Sequence, residues 1–164
     1  MSVVPEFEAA NAKYAAHFTK EKAALPMPPG RKVAVLACMD ARLDPARALG
    51  LEEGDAHVIR NAGGRALDAV RSLIVSQQLL GTREIVIVHH TDCGMLTFTD
   101  DSLRTKIRQE LGKNADGLAF LPFSDVRQSV VDDVKLLEEN ELLLDVPITG
   151  YVYDVKTGQI KKVS

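Results

Sequence analysis

The chain has two cysteines and four histidines among its 164 residues, and three of these six fall where two apolar runs end. Cys38 closes the run Lys32–Cys38 (KVAVLAC). His90 closes Glu84–His90 (EIVIVHH), and Cys93 follows in the turn after it. Two thiolates and one imidazole leave one position of a tetrahedral ion open, which is the arrangement of catalytic rather than structural zinc. Soft sulfur with a borderline imidazole also favours zinc over magnesium or calcium. Taken singly, each residue has a plainer explanation. A buried cysteine is often a small hydrophobe, a histidine at a strand end often only makes hydrogen bonds, and one H-x-x-C is common by chance. The pairing is more specific: C-x-D-x-R (Cys38, Asp40, Arg42) ends one run and H-x-x-C-G (His90, Cys93, Gly94) ends the other.

The elements around these residues predict how the three converge. Short, nearly continuous apolar runs such as Lys32–Cys38 read as strands buried on both faces, as in a parallel sheet. Glu84–His90 is rich in β-branched residues and reads the same way. A third strand is expected over His57–Arg60, leading into Asn61-Ala62-Gly63-Gly64, where glycine permits a tight turn. Ala66–Leu80 has helical spacing, with Leu67, Val70, Leu73, Ile74 and Leu79 expected near one face and Gly81 ending it. Helices are also expected from Glu6 to about Glu21, on Phe7, Ala10, Tyr14 and Phe18, from Thr99 or Asp100 to Leu111, and from Asp125 to about Asn140 after a Ser124 cap. Lys113–Phe123 reads as a loop, and Ile148–Val155 with Ile160–Val163 as a hairpin or edge strand. The order predicts an α/β fold with a mainly parallel central sheet flanked by helices. Ligands of such sheets bind outside the carboxyl ends of the strands. The expected organisation is a single domain over 1–164, with an N-terminal helix and Pro-rich connector over 1–30 and the α/β core over 31–164.

Composition narrows the function further. A hydrophobic fraction of 46% and a charged fraction of 26% suit a globular domain with its own core. With a net charge of −3 and no basic stripe, nucleic acid is not the expected partner. No apolar run approaches the ~20 residues that cross a bilayer, and Met1–Phe7 lacks the features of a secretory signal. The cytoplasm is the expected compartment, where two cysteines serve metal binding, catalysis or burial better than a disulfide.

Cys38-Met39-Asp40-Ala41-Arg42 and His90-Thr91-Asp92-Cys93-Gly94 resemble the two zinc motifs of the β-carbonic anhydrases, and Arg60-Asn61-Ala62-Gly63 resembles the strand-end turn between them. The resemblance covers about Lys32 to Leu96. It implies that Cys38, His90 and Cys93 hold one Zn2+ per chain and that Asp40 and Arg42 form a dyad beside it. The implied reaction is reversible hydration of carbon dioxide to bicarbonate and a proton, by hydroxide generated at zinc. The implied assembly is a homodimer or dimer of dimers. Gly63 and Gly94 are expected to bring backbone close to the substrate. Some relatives carry a second bicarbonate pocket built with tryptophan, and this chain has no tryptophan. Because two thiolates already neutralise the dication, activity is expected to rise on the alkaline side of neutral pH.

Two other readings share these residues. Carbonyl sulfide and carbon disulfide hydrolases retain the same zinc motifs, and pocket shape separates them from carbonic anhydrases. A non-catalytic zinc or redox protein is the third, with Asp40 as a fourth ligand or a Cys38–Cys93 disulfide. His89 is expected on the opposite face of the strand from His90, in a supporting or core role. His57 is expected at the surface, His17 on the first helix, and Asp92 as a turn cap.

Overall fold

The computed structural model describes residues 2–164. A five-stranded sheet has the order β2-β1-β3-β4-β5, with β1 Val33–Cys38, β2 Ala56–Asn61, β3 Glu84–His90, β4 Ile148–Tyr153 and β5 Ile160–Lys162. The first four strands run parallel, and β5 turns back antiparallel on β4. The expected mainly parallel sheet and the terminal hairpin are both present. The chain steps from β1 to β2 on one side, then crosses to β3 on the other. Strand order therefore reverses between β1 and β3, which opens a crevice at their carboxyl ends.

Side chains alternate across this sheet, as strand geometry requires. Ala34 and Leu36 of β1 and Ile85 and Ile87 of β3 pack with helices α4 (Ala66–Gln78) and α6 (Val126–Glu138). Val33, Val35 and Ala37 of β1 and Val88 of β3 face the other layer, with Leu43, Cys93 and Met95. That second layer is built mostly from loops and one short helix, α3 (Pro45–Leu49), so it leaves room above the strand ends. Helix α5 (Asp100–Leu111) follows, capped by Thr99 in a capping box with Ser102.

Several elements differ from expectation for identifiable reasons. The first helix divides into α1 (Val4–Ala16) and α2 (Lys20–Ala23), because the Thr19 hydroxyl accepts from the Lys22 N–H and starts a new helix. No residue of α1 is buried, so Phe7 and Tyr14 form no core face. The buried face of α4 is Ala66, Ala69, Leu73, Ser76 and Gln77, while Leu67 and Leu79 are exposed. Ser76 is satisfied by His57 Nδ1 and Thr82 Oγ1, both at 2.8 Å, and Gln77 Oε1 accepts from the Leu144 N–H. His57 is accordingly half-buried. Asp125, not Ser124, caps α6.

Candidate metal centre

Cys38 and His90 come from the ends of β1 and β3, and Cys93 from the turn that follows β3. All three are buried, and their ligand atoms lie within 4.8 Å of one another. The two sulfurs are 4.0 Å apart. The His90 ring is fixed by its Nδ1–H, which donates to the Thr91 carbonyl at 2.9 Å. A carbonyl only accepts, so the proton sits on Nδ1 and the Nε2 lone pair is free. That Nε2 is buried and has no hydrogen-bond partner among the described residues. A buried acceptor without a partner is costly, and a cation between it and the two sulfurs satisfies it. The donor set fits a borderline-soft divalent ion such as zinc.

Electrostatics prepare the thiols for such an ion. The hydrogen bond with Cys93 is the main cause that brings the Cys38 pKa down to about 4, against burial, which raises it. The same contact, then burial, pushes Cys93 up. Without metal the two thiols therefore share one proton at neutral pH. Burial depresses the His90 pKa, but Cys38 beside it and the Thr91 carbonyl outweigh burial and leave it raised. No atom meets Nε2 with hydrogen-bond geometry, so the influence of Cys38 on it is one of proximity.

Asp40 lies at the rim of this cluster, with Oδ2 3.8 Å from His90 Nε2. Arg42 holds it from three sides: its backbone N–H and Nε–H donate to Oδ1 at 2.8 and 3.0 Å, and Nη2–H donates to Oδ2 at 2.8 Å. The guanidinium keeps the Asp40 carboxyl far below the usual carboxylate range. Arg42 also donates from Nη1 to Asp92 Oδ2 at 2.7 Å and from Nη2 to the Asp92 carbonyl at 2.8 Å. Asp92, expected as a turn cap, instead joins the β3 turn to the β1 loop, with its backbone at φ 54°. Arg60 is a further residue that sequence reasoning left without a role. It donates to the carbonyls of Cys38, Asp40 and Leu43 and so holds the loop after β1 in place.

A crevice of about 310 Å³ opens over the cluster, walled by Met39, Ala62, Gly63, Gly94, Met95 and Phe98. The two glycines differ. Gly63, at φ 81°, lies so close to Met95 that a Cβ would come within 2.9 Å of its side chain, whereas a Cβ on Gly94 would meet nothing within 4 Å. His89 lies on the opposite face from His90, as expected, and is completely buried. Among the described residues, no helix is long and apolar enough to cross a membrane.

An α/β sheet with a buried Cys-His-Cys cluster and an open crevice at its switch point has the build of a metalloenzyme. Residues 33–119 match the carbonic anhydrase family. The chain is 45% identical over 168 residues to Beta-carbonic anhydrase 1 of Mycobacterium tuberculosis, covering 100% of this chain and 99% of that protein. It superimposes on the carbonic anhydrase from Glaciozyma antarctica with a TM-score of 0.93 and 49% identity, covering 100% of both chains. Carbon disulfide hydrolase of an Acidianus species is 34% identical over 161 residues, covering 83% of this chain and 79% of that protein. The chain belongs to the β-carbonic anhydrase family.

Proposed function

We propose that this chain catalyses the reversible hydration of carbon dioxide to bicarbonate and a proton, with one Zn2+ held by Cys38 Sγ, His90 Nε2 and Cys93 Sγ. The observation that carries this reading is the buried, unpartnered His90 Nε2 beside two sulfurs. Zinc, when bound, supplies a Lewis acid that lowers the pKa of a water toward neutrality. Asp40 stays ionised throughout the working range, so it accepts hydrogen bonds and does not donate them. Its Oδ2 accepts one from the reacting water and turns that water's lone pair toward the substrate carbon. Arg42 keeps the carboxylate engaged through its three donors, which restrains it from taking the open ligand position. Backbone at Gly63 and Gly94 lines the substrate space, and the surrounding apolar wall suits a small molecule without net charge.

That apolar wall also favours a second substrate class. Carbon disulfide and carbonyl sulfide are small, linear and apolar, and the 34% identity to a carbon disulfide hydrolase supports this reading. Stopped-flow hydration of carbon dioxide, run beside sulfide release from carbon disulfide and carbonyl sulfide, separates them. The expected result is rapid hydration that a chelator abolishes and zinc restores. A higher kcat/KM for sulfide release transfers the function to the second class, and bound zinc with neither activity leaves a non-catalytic site.

The assembly in this reading is a homodimer or dimer of dimers. Support comes from α1, where Val4, Phe7 and Tyr14, with Phe18 beyond it, lie on one helical face and are 47–66% exposed. The segment is tied down by polar contacts of Tyr14 and Lys22 to Glu53. A second copy covers that stripe, and light scattering at a mass of 17.9 kDa would contradict it. Two reduced cysteines support the cytoplasm as the compartment.

A further inference from the structure

Behind the metal centre, on the α6 side of the sheet, lies a buried polar cluster with no part in the chemistry above. Asp133 of α6 is 1% exposed, and its Oδ1 lies 2.9 Å from Arg65 Nη2. The approach lacks hydrogen-bond geometry, and among the described residues neither Asp133 Oδ1 nor Arg65 Nε has a hydrogen-bond partner. Asp133 Oδ2 accepts from the Ala66 N–H at 2.9 Å and lies 3.3 Å from His89 Nε2. His89 Nε2 is also 3.1 Å from the Gly64 carbonyl. Both neighbours of Nε2 only accept, so it carries a proton and donates. On the other side of the ring, Nδ1 meets Ser129 Oγ at 2.8 Å, and Phe123 stacks on its face at 5.6 Å.

These contacts converge on one short turn, Ala62–Gly64. Its flanks are already clamped: the Asn61 side chain accepts from the Arg65 N–H at 2.7 Å and donates to the Arg65 carbonyl at 2.9 Å. His89 holds the Gly64 carbonyl, and Asp133 holds the residue that opens α4. The turn in turn touches the metal centre. Just before the turn, the Asn61 carbonyl accepts from the Met39 N–H at 2.9 Å, next to Cys38. Gly64 sits against β1 so closely that a Cβ would lie 2.9 Å from Cys38 N and 3.0 Å from Ala37 C. Both of those atoms are backbone and have no slack, so a shift of the turn reaches Cys38 directly.

We infer that Asp133 and His89 are positioning residues for the metal centre, holding the Ala62–Gly64 turn against the Cys38 backbone so that the Cys38 sulfur keeps its place. The inference rests on Cys38 being a zinc ligand, as proposed above. Its physical basis is general: partners behind a ligand set its orientation and donor strength, and their loss typically costs about 10–100-fold in metal affinity. Displacing that sulfur weakens its bond to a metal, so the charge-transfer band that reports the bond loses intensity.

The test uses the full chain, stripped and reloaded with zinc or with cobalt(II). Zinc affinity is read by competition with a chromophoric chelator, and the sulfur-to-cobalt charge-transfer band reads the ligand sulfur. His89→Phe keeps the ring stacked on Phe123 but removes the donor, whereas His89→Gln gives up the stack and keeps a donor toward Gly64. Asp133→Asn is set beside Val134→Ala, a buried neighbour on the same helix whose apolar side chain makes no hydrogen bond or ion pair with these groups. The expected result is about 10–100-fold weaker zinc binding in His89→Phe and Asp133→Asn, with the cobalt band reduced in intensity. His89→Gln and Val134→Ala keep the affinity and the band of the unsubstituted chain, whatever they lose in melting temperature. A merely structural cluster predicts the reverse order, with His89→Phe unchanged and affinity following melting temperature across all four. That order overturns the inference. The His89 pair decides alone if Asp133→Asn does not fold. If the unsubstituted chain takes up neither metal, the zinc reading itself has failed, which is a different outcome from unchanged affinity in the variants.

Discussion

At its carboxyl end the sheet carries buried polar groups on both faces, and adjacent residues of β3 serve the two. On the α6 face, both His89 nitrogens have partners, and the Asp133 carboxylate, whose Oδ1 makes no hydrogen bond, has the Arg65 guanidinium 2.9 Å away. On the other face, His90 has a partner for Nδ1 and none for Nε2. Both faces are dry, so the cost of desolvating polar atoms is similar. On one side the Asp133 Oδ1 and Arg65 Nε left without hydrogen bonds belong to groups of opposite charge that offset one another. On the other, a lone pair and two sulfurs face inward, and only a cation offsets them. Polar burial alone does not distinguish a functional cluster from a structural one, and neither does a count of unmade hydrogen bonds; the kind of group left over does.

The strongest way to break this contrast is to exchange a donor on the incomplete face. Cys93→Ser keeps size and a hydroxyl but offers a poorer ligand than thiolate. It should lose stoichiometric zinc and reduce kcat/KM for carbon dioxide hydration by about 10³-fold or more, since the Lewis acid contributes several kcal/mol. Metal analysis with stopped-flow hydration checks both. Full activity in a metal-free Cys93→Ser chain would remove the basis for the functional reading.

Next in size is Asp40→Asn. The carboxylate is held by three Arg42 donors, and an amide retains the shape but not the charge. Its NH2 also presents a donor where the reacting water needs an acceptor. Turnover should fall by about 10²-fold, at the lower end of what a positioned proton-handling group contributes, with zinc content unchanged. Loss of zinc together with activity would instead make Asp40 part of the ligand set.

The incomplete face should also titrate as it fills. Zinc takes thiolates and neutral imidazole, so protons bound before metal must leave. The two thiols, with Cys38 drawn down to about 4 and Cys93 pushed up by their shared contact, hold one proton between them at neutral pH. His90 is also raised. Raised values mean that protons compete with the metal, so affinity must increase with pH. Above the His90 pKa one proton leaves per zinc, and affinity should rise about tenfold per pH unit. Below it two leave, and the dependence should steepen toward a hundredfold. Competition titrations from pH 5.5 to 8.5 measure this directly. A flat dependence would mean that the two thiols do not share a proton as their 4.0 Å contact implies.

How much of this contrast is legible in the chain depends on the range of the interactions. Strand alternation needs only neighbours in sequence, and it separates His89 from His90 correctly. The carboxyl-end location of Cys38 and Cys93 follows equally from local runs. The closed face is not legible, because Asp133 meets Ala66 across 67 residues and nothing near Asp133 in α6 marks it as buried. The same blindness affects α4, where Ser76 and Gln77 look solvent-facing until their distant partners His57 and Leu144 are known. For α1 the difficulty is reversed: local spacing gives a good apolar stripe, but the described residues bury none of it.

Asp92 tests the edge of the comparison, since it joins the site from the solvent side. Its side chain is 71% exposed and that of Arg42 is 47% exposed, so water screens the pair, and such contacts are worth about 0.2–1 kcal/mol. Arg42 keeps all three of its donors to Asp40 without Asp92, and its Nη2 still reaches the Asp92 carbonyl. Asp92→Asn should therefore lower kcat/KM by no more than about fivefold, the upper end of that range converted to a rate. Because screening limits the pair, the deficit relative to the unsubstituted chain should shrink in 0.5 M salt. Stopped-flow assays at low and high ionic strength measure it. A deficit as large as that of Asp40→Asn, and insensitive to salt, would mean that Arg42 is aligned chiefly by Asp92, and that the boundary of the working face lies one residue further out than the crevice wall suggests.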